Sequence, residues 1–236
     1  MTEIEVPSVA TPAHEVPTRE VPGVEAPHRE IQTGRIQTRK IQTGYIETGE
    51  IQTGEIQTGE TQRLEINPLD ASQKNRDELS AILIEVVANG GSVSFMHPLE
   101  PATARAFWDG ALAAAARGER IVLGARDGDV LAGTVTLLLD WPPNQPHRAE
   151  IAKLMTRVSH RRRGVAAALM HAAEALAVQR ARSLLVLDTA TEGGAARLYE
   201  ALGFVLAGEI PGFALKPHGG LTGTLIYWKR IGVDPE

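Results

Sequence analysis

The chain contains no cysteine, which removes disulfides, thiolate metal ligands and a cysteine nucleophile together. It has no run of about 18 apolar residues, the length a membrane-spanning helix needs. Residues 1–9 are acidic and lack the apolar stretch of a secretory leader, so the expected address is the cytoplasm. A surplus of positive charge is missing too: the net charge of -5 argues against a nucleic-acid footprint. Aromatic residues are scarce and unevenly placed. Nine of the ten Phe, Trp and Tyr residues follow position 94, and Tyr45 alone precedes it. A segment almost without aromatics is poorly equipped to bury a core, which predicts one folded unit of roughly 170 residues.

What fills the first quarter is a repeat of five. From Glu5 it reads E-V-P-S-V, A-T-P-A-H, E-V-P-T-R, and from Glu30 it becomes x-I-Q-T-G, as in Lys40-Ile41-Gln42-Thr43-Gly44 and Glu55-Ile56-Gln57-Thr58-Gly59. Internal repeats often announce a solenoid, but a pentapeptide coil needs small and apolar residues at two adjacent positions of every five. Here one position in five is apolar. Five residues also rotate about 140° along a helix, so the period matches neither a helix face nor a strand face. The expectation is a disordered tail over 1–61, with an unknown partner as an option, followed by a folded domain over 62–236.

That domain reads as alternating strands and helices. A short strand is expected over 63–67. A helix capped by Asp70, with Gln73 three positions on, carries Leu79, Ile82, Leu83, Val86 and Val87 as its apolar stripe and stops at Gly90-Gly91. A second helix starts at Pro101 and ends before Gly118. Strands over 121–126 and 130–140 join at Asp127-Gly128, a hairpin signal. After Pro142-Pro143 come a strand over 148–156, a long helix over 164–180 and the strand 184–188, whose unbroken apolar run predicts cover on both faces. Strand, helix, buried strand is a right-handed crossover, so these two strands should be parallel. A short helix over 194–202 and strands over 204–210 and 222–230 complete a mixed α/β sheet with helices on both faces.

The most informative stretch is Arg157-Val158-Ser159-His160-Arg161-Arg162-Arg163-Gly164-Val165-Ala166. First-turn amides of a helix lack intrahelical partners and sit at its positive end, where anions bind. Arg161, Arg162 and Arg163 add charge suited to a pyrophosphate. Gly164 and Ala166 keep the turn free of bulk. A solvated basic loop is the alternative.

Arg161-x-x-Gly164-x-Ala166, in this order of elements, resembles the GNAT superfamily of acetyltransferases, whose signature here is Gln/Arg-x-x-Gly-x-Gly/Ala. Ala196-Arg197-Leu198-Tyr199-Glu200-Ala201-Leu202-Gly203-Phe204 is similar to the family's tyrosine-bearing helix and Leu-Gly-Phe turn. The resemblance covers about residues 62–231. Pro143-Asn144-Gln145-Pro146-His147-Arg148-Ala149-Glu150, Leu187-Asp188-Thr189 and Ile210-Pro211-Gly212-Phe213-Ala214 look closer to the tabtoxin-resistance-like branch, which acetylates small amines. The resemblance implies a mostly antiparallel seven-stranded sheet with a splayed parallel pair, and acetyl-CoA bound in the splay. It places pantetheine along the backbone of Leu154, Met155 and Thr156, and the diphosphate on Arg161, Arg162, Arg163, Gly164, Val165 and Ala166. Many members have glycine where this chain has Arg162, so that side chain must point away from the diphosphate.

Transfer to an amine needs a base, because an alkylammonium with a pKa of about 10.4 must lose a proton before it attacks. Glu150 is the candidate base, sharing a face with Leu154 if no bulge intervenes; its alternative role is an ion pair with Arg148 or Lys153. Asp188 would hold or deprotonate the substrate ammonium, or else cap a loop. The resemblance makes Tyr199 the acid for the departing thiolate; packing in the core is the alternative. His147 and His218 are candidates for the substrate mouth, and Trp108 and Trp141 for the pocket wall. The histidines lack ligand spacing, so no metal is expected. The expected enzyme acetylates a small-molecule amine in a ternary complex, with a peptide acetyltransferase and a non-catalytic acetyl-CoA-binding module as rivals. No nucleic acid or membrane is expected as partner, and a homodimer is one option.

Overall fold

The computed structural model describes residues 56–58, in backbone only, and 62–232; the rest of the expected tail lies outside the described residues. The elements in chain order are β1 (Ile56–Thr58), β2 (Gln62–Pro68), α1 (Gln73–Ala88), α2 (Pro101–Ala116), β3 (Arg120–Asp127), β4 (Val130–Leu138), β5 (Arg148–Thr156), a 3-10 turn (Val158–His160), α3 (Val165–Gln179), β6 (Leu184–Ala190), α4 (Ala196–Ala201), β7 (Val205–Leu215) and β8 (Leu221–Arg230). The sheet order is β1-β2-β3-β4-β5-β6-β8-β7. Neighbours are antiparallel except β5 and β6, which are parallel. The seven expected strands are all present. An eighth, β1, adds to the β2 edge inside the last repeats.

Two apolar layers hold helices to the two faces. The stripe Leu79, Ile82, Leu83, Val86 and Val87 of α1 packs with Ala104, Trp108, Ala111 and Leu112 of α2 on Val122, Leu131 and Met155 of the sheet. On the opposite face Val165, Ala168, Leu169, Met170, Ala173 and Ala177 of α3 cover Leu123, Val135, Leu137, Ile151, Leu185 and Leu187. Trp108 is fully buried, so it belongs to the core and not to a pocket wall.

Local chemistry moves several boundaries from where the sequence pattern placed them. Ser72, not Asp70, caps α1 by accepting the Asn75 N–H at 3.4 Å. Asp70 accepts the Ser72 N–H at 3.1 Å and the Asn75 amide at 2.6 Å, so it braces the cap. At the far end Gly90, at φ 79°, allows its N–H to reach Val87 O at 3.0 Å while Gly91 N–H reaches Val86 O at 2.8 Å, a Schellman ending. The β3–β4 turn is Gly128-Asp129, between the paired Asp127 and Val130, one residue later than expected. Strand β7 does not stop before Pro211-Gly212: the register shifts between Ile210 and Ala214, with Gly212 at φ 61°, and the bulge absorbs the break. Strand β6 is covered on one face, not two. Leu185 and Leu187 are buried, Leu184 and Val186 are half-buried and Asp188 is exposed, because α1 and α2 lie over β3, β4 and β5.

Candidate active site

The parallel pair β5 and β6 is hydrogen-bonded for three residue pairs only, Arg148↔Leu184, Ala149↔Leu185 and Glu150↔Val186. Beyond them β5 stays with β4, through Ala152↔Thr136 and Met155↔Thr134. Strand β6 stays with β8, through Leu187↔Tyr227 to Ala190↔Thr224. The two strands therefore part, and each turns an unpaired row of backbone donors and acceptors toward the gap.

A bulge lies along the β5 side of this gap. Thr136 faces Ala152 and Thr134 faces Met155, so Lys153 and Leu154 together oppose Val135, with Lys153 in the left-handed region at φ 51°. One extra residue exchanges the faces of everything after it. Ile151 joins the layer under α3, whereas Met155 joins the layer under α1 and α2, and Leu154 packs toward α3. Glu150 and Leu154 consequently lie on opposite faces; the shared face expected in the absence of a bulge does not exist.

Helix α3 begins where β5 ends. Its N-cap is Gly164, at φ 80° and without a side-chain cap, and the first intrahelical bond is Ala168 N–H to Gly164 O at 3.0 Å. The amides of Val165, Ala166 and Ala167 precede that bond and are free for an anion. Gly133 on β4 sets the depth of the helix, because a Cβ there would come within 2.7 Å of Met155 O and 2.9 Å of the Val165 side chain. The preceding loop is pinned from below. Glu85 of α1 accepts the Val158 N–H at 2.6 Å and the Arg157 guanidinium at 3.1 Å, and Arg157 Nε reaches Leu131 O at 2.8 Å. His160 and Arg163 each approach Asp127 at 3.5 Å, while Arg161 and Arg162 are exposed. Arg162 has φ 59°, a conformation that glycine adopts without strain.

On the face opposite α3, Glu150, Lys153 and Asp188 act on one another. The Glu150 carboxylate accepts Arg148 NH2 at 2.9 Å, and that guanidinium stacks 3.9 Å over the Trp141 ring and reaches Gln145 at 2.8 Å. The ion-pair partner of Glu150 is thus Arg148. Burial still raises the Glu150 pKa, with Arg148 opposing and Asp188 adding to the rise. Asp188 is exposed and accepts the Thr224 hydroxyl at 3.1 Å. Burial lowers the Lys153 pKa, against the pull of Asp188 and Glu150.

Tyr199 is buried in the α3 layer, on the other face of the sheet, with Phe204 at 6.1 Å and Tyr227 at 6.0 Å between ring centroids. Burial, and secondarily Asp188, push its hydroxyl up to about 12, while a hydrogen bond with Thr189 works the other way. The tyrosine is both a packed core residue and a phenol held protonated at neutral pH.

The two histidines read as mouth residues are not brought together. The His147 carbonyl accepts Ser183 and Leu184 N–H at 2.9 and 3.1 Å, at the closed end of the splay. His218 is on the β7–β8 turn, 3.1 Å from Ala88 O and 4.6 Å from the His97 ring. The length of β6 separates the two, roughly 20 Å at strand rise. Arg148 and Lys153 were expected on this face only as ion-pair options for Glu150, and Ser94, whose hydroxyl meets Lys153 Nζ at 3.0 Å, was not expected there at all. The available signal was the one charge in the apolar run Ile151-Ala152-Lys153-Leu154-Met155.

Among the described residues no group of three or more His, Asp or Glu could hold a metal ion, and no helix is long and apolar enough to cross a membrane. Residues 89–204 match the Acetyltransferase (GNAT) family. Solved structures share the fold. An N-acetyltransferase from Staphylococcus aureus Mu50 superposes with a TM-score of 0.61 at 17% identity, over 71% of this chain and 98% of that one. YncA from Salmonella typhimurium, solved with its cofactor acetyl-CoA, gives 0.60 at 14% identity, over 72% and 96%. A ribosomal-protein-alanine N-acetyltransferase from Brucella melitensis gives 0.59 at 17% identity, over 70% and 99%.

Proposed function

The chain belongs to the GNAT acetyltransferase family and is an acetyl-CoA-dependent N-acetyltransferase; we propose that it acetylates the primary amine of a small molecule by direct attack in a ternary complex. The observation that carries this reading is the gap between β5 and β6 opening at the uncapped start of α3. The donors there fit acetyl-CoA. Amides of Val165, Ala166 and Ala167, with Arg161 and Arg163, suit a diphosphate, and the unpaired backbone of Leu154, Met155 and Thr156 suits an extended amide chain such as pantetheine. Acetyl-CoA, when bound, supplies an acyl group on a good leaving thiol.

The residues of the chain do the rest. Asp188 attracts the acceptor ammonium at the open end of the strands. Glu150, with its pKa raised toward the working range, takes the proton and frees the amine. A backbone N–H at the bulge suits a developing oxyanion. Tyr199, held at about 12, does not give its proton outright to a thiolate of pKa about 8.5, since that transfer is uphill by roughly 5 kcal/mol. Tyr199 donates a hydrogen bond to the sulfur as charge develops, and the proton that ends on sulfur comes from the nitrogen as it becomes an amide.

A closed acceptor site is supported by the loop between α1 and α2, which is tied to the β7–β8 turn by His97 N–H to Pro217 O at 2.9 Å and by the tilted contact of the His97 and His218 rings. Such a closure suits a small acceptor better than a peptide lying across a groove. Calorimetry with acetyl-CoA, then thiol release on a panel of small amines and N-terminal peptides, tests the proposal. Binding with turnover of small amines is expected. Turnover of peptides alone rejects the small-molecule acceptor, and binding without any turnover rejects catalysis.

A further inference from the structure

An ammonium group that makes no ion pair with either of two nearby carboxylates suits a ligand with charges of both signs. Lys153 sits in the bulge of β5, its left-handed backbone at φ 51° placing it on the face of Glu150 and Asp188. Its Nζ donates to Ser94 Oγ at 3.0 Å and lies 5.7 Å from the Phe107 ring centroid. Among the described residues that is its one hydrogen bond, and it forms no ion pair. Both nearby carboxylates are engaged elsewhere, Glu150 by Arg148 at 2.9 Å and Asp188 by Thr224 at 3.1 Å. An ammonium carries three donors, so two have no partner among the described residues. A half-buried cation with unused donors is a poor arrangement unless an anion arrives to complete it.

We propose that Lys153 is the anion-binding half of the acceptor site, so that the amine acetylated carries a carboxylate. This rests on the acetyltransferase reading above and narrows it to amino acids and similar zwitterions: Asp188 takes the ammonium end and Lys153, steadied by Ser94, the acidic end. Recognition of both ends fixes the amine relative to Glu150 and excludes neutral amines of equal size, whose binding leaves Lys153 without its anion. The lowered pKa of Lys153, caused by burial, agrees with a cation short of compensation and is relieved when a carboxylate binds.

The test compares amino acids with their carboxamides, which differ in the acidic end, as acceptors for the full chain and for Lys153→Met and Lys153→Arg. The ratio of kcat/KM for acid over amide cancels the different amine basicities when it is compared between proteins. Lys153→Met should lower that ratio roughly tenfold or more, through KM, the scale of one charge-assisted hydrogen bond. Lys153→Arg should restore most of it. A wild-type enzyme whose ratio is unmoved by Lys153→Met, or a variant that loses kcat equally on both series, overturns the anion site while leaving acetyl transfer intact. Acetyl-CoA binding without turnover of either series overturns the acetyltransferase reading itself.

Discussion

The carboxylate of Glu150 accepts a hydrogen bond from Arg148 at 2.9 Å, two positions earlier on the same strand and the same face. An ion pair of this kind would ordinarily depress a carboxyl pKa, yet here burial wins and the pKa is raised. Folding therefore keeps the Glu150 proton to a higher pH than the unfolded chain does. Between the two values the native state binds more protons, so this residue makes stability fall as pH rises through that window. Glu150→Gln should remove that decline in urea melts taken from pH 4 to 7 (about the carboxyl range). It should also lower kcat by roughly 10²- to 10⁴-fold and abolish the acidic limb of the kcat/KM profile. An acidic limb that persists in the variant assigns the base elsewhere.

Tyr199 should behave differently. With its hydroxyl at about 12, it stays protonated across the working range, so any basic limb near neutral pH belongs to another group. Tyr199→Phe should keep the fold, since the ring packs against Phe204 and Tyr227. It should reduce kcat by roughly 10²-fold, the scale of one preorganised donor. Equal activity of the two proteins would make the tyrosine a core residue alone.

Gly133 governs how closely α3 approaches the sheet. Gly133→Ala places a methyl 2.7 Å from Met155 O and 2.9 Å from the Val165 side chain, so the helix start must lift. The expected outcome is a loss of about 1–3 kcal/mol in stability together with weaker acetyl-CoA binding by calorimetry, although residue 133 is on β4, outside the loop that precedes α3.

Arg162→Gly tests the left-handed turn at φ 59°. Relief of about 1–2 kcal/mol of backbone strain is partly offset by the entropy that glycine loses on folding. Denaturant melts should show a net gain of up to about 1 kcal/mol. Acetyl-CoA affinity should change little, because Arg161, Arg163 and the α3 amides remain. A large loss of affinity would show that the Arg162 side chain touches the cofactor.

The order of elements was legible in the sequence because each carries local chemistry: the apolar stripe from Leu79 to Val87, the Gly90-Gly91 stop and the arginines before Gly164. Strand ends were less legible. Pro211-Gly212 reads as a terminus, and only a partner strand can show that a bulge carries β7 past it. The cover of β6 is hidden from the sequence for a related reason: Leu184-Leu185-Val186-Leu187 is apolar throughout, while the placement of α1 and α2 leaves one face open beside Asp188.

The sequence by itself determined that a glycine-started helix without a side-chain cap follows a strand, and that Glu150, Asp188 and Tyr199 lie on elements flanking it, because spacing along the chain carries that information. Only the tertiary structure decided which of these face one another. The bulge at Lys153 and Leu154 turns Leu154 away from Glu150. It also sets a lysine beside Ser94 from a loop 59 residues distant. Register between strands depends on hydrogen bonds formed with β4 and withheld from β6, and no local pattern encodes those.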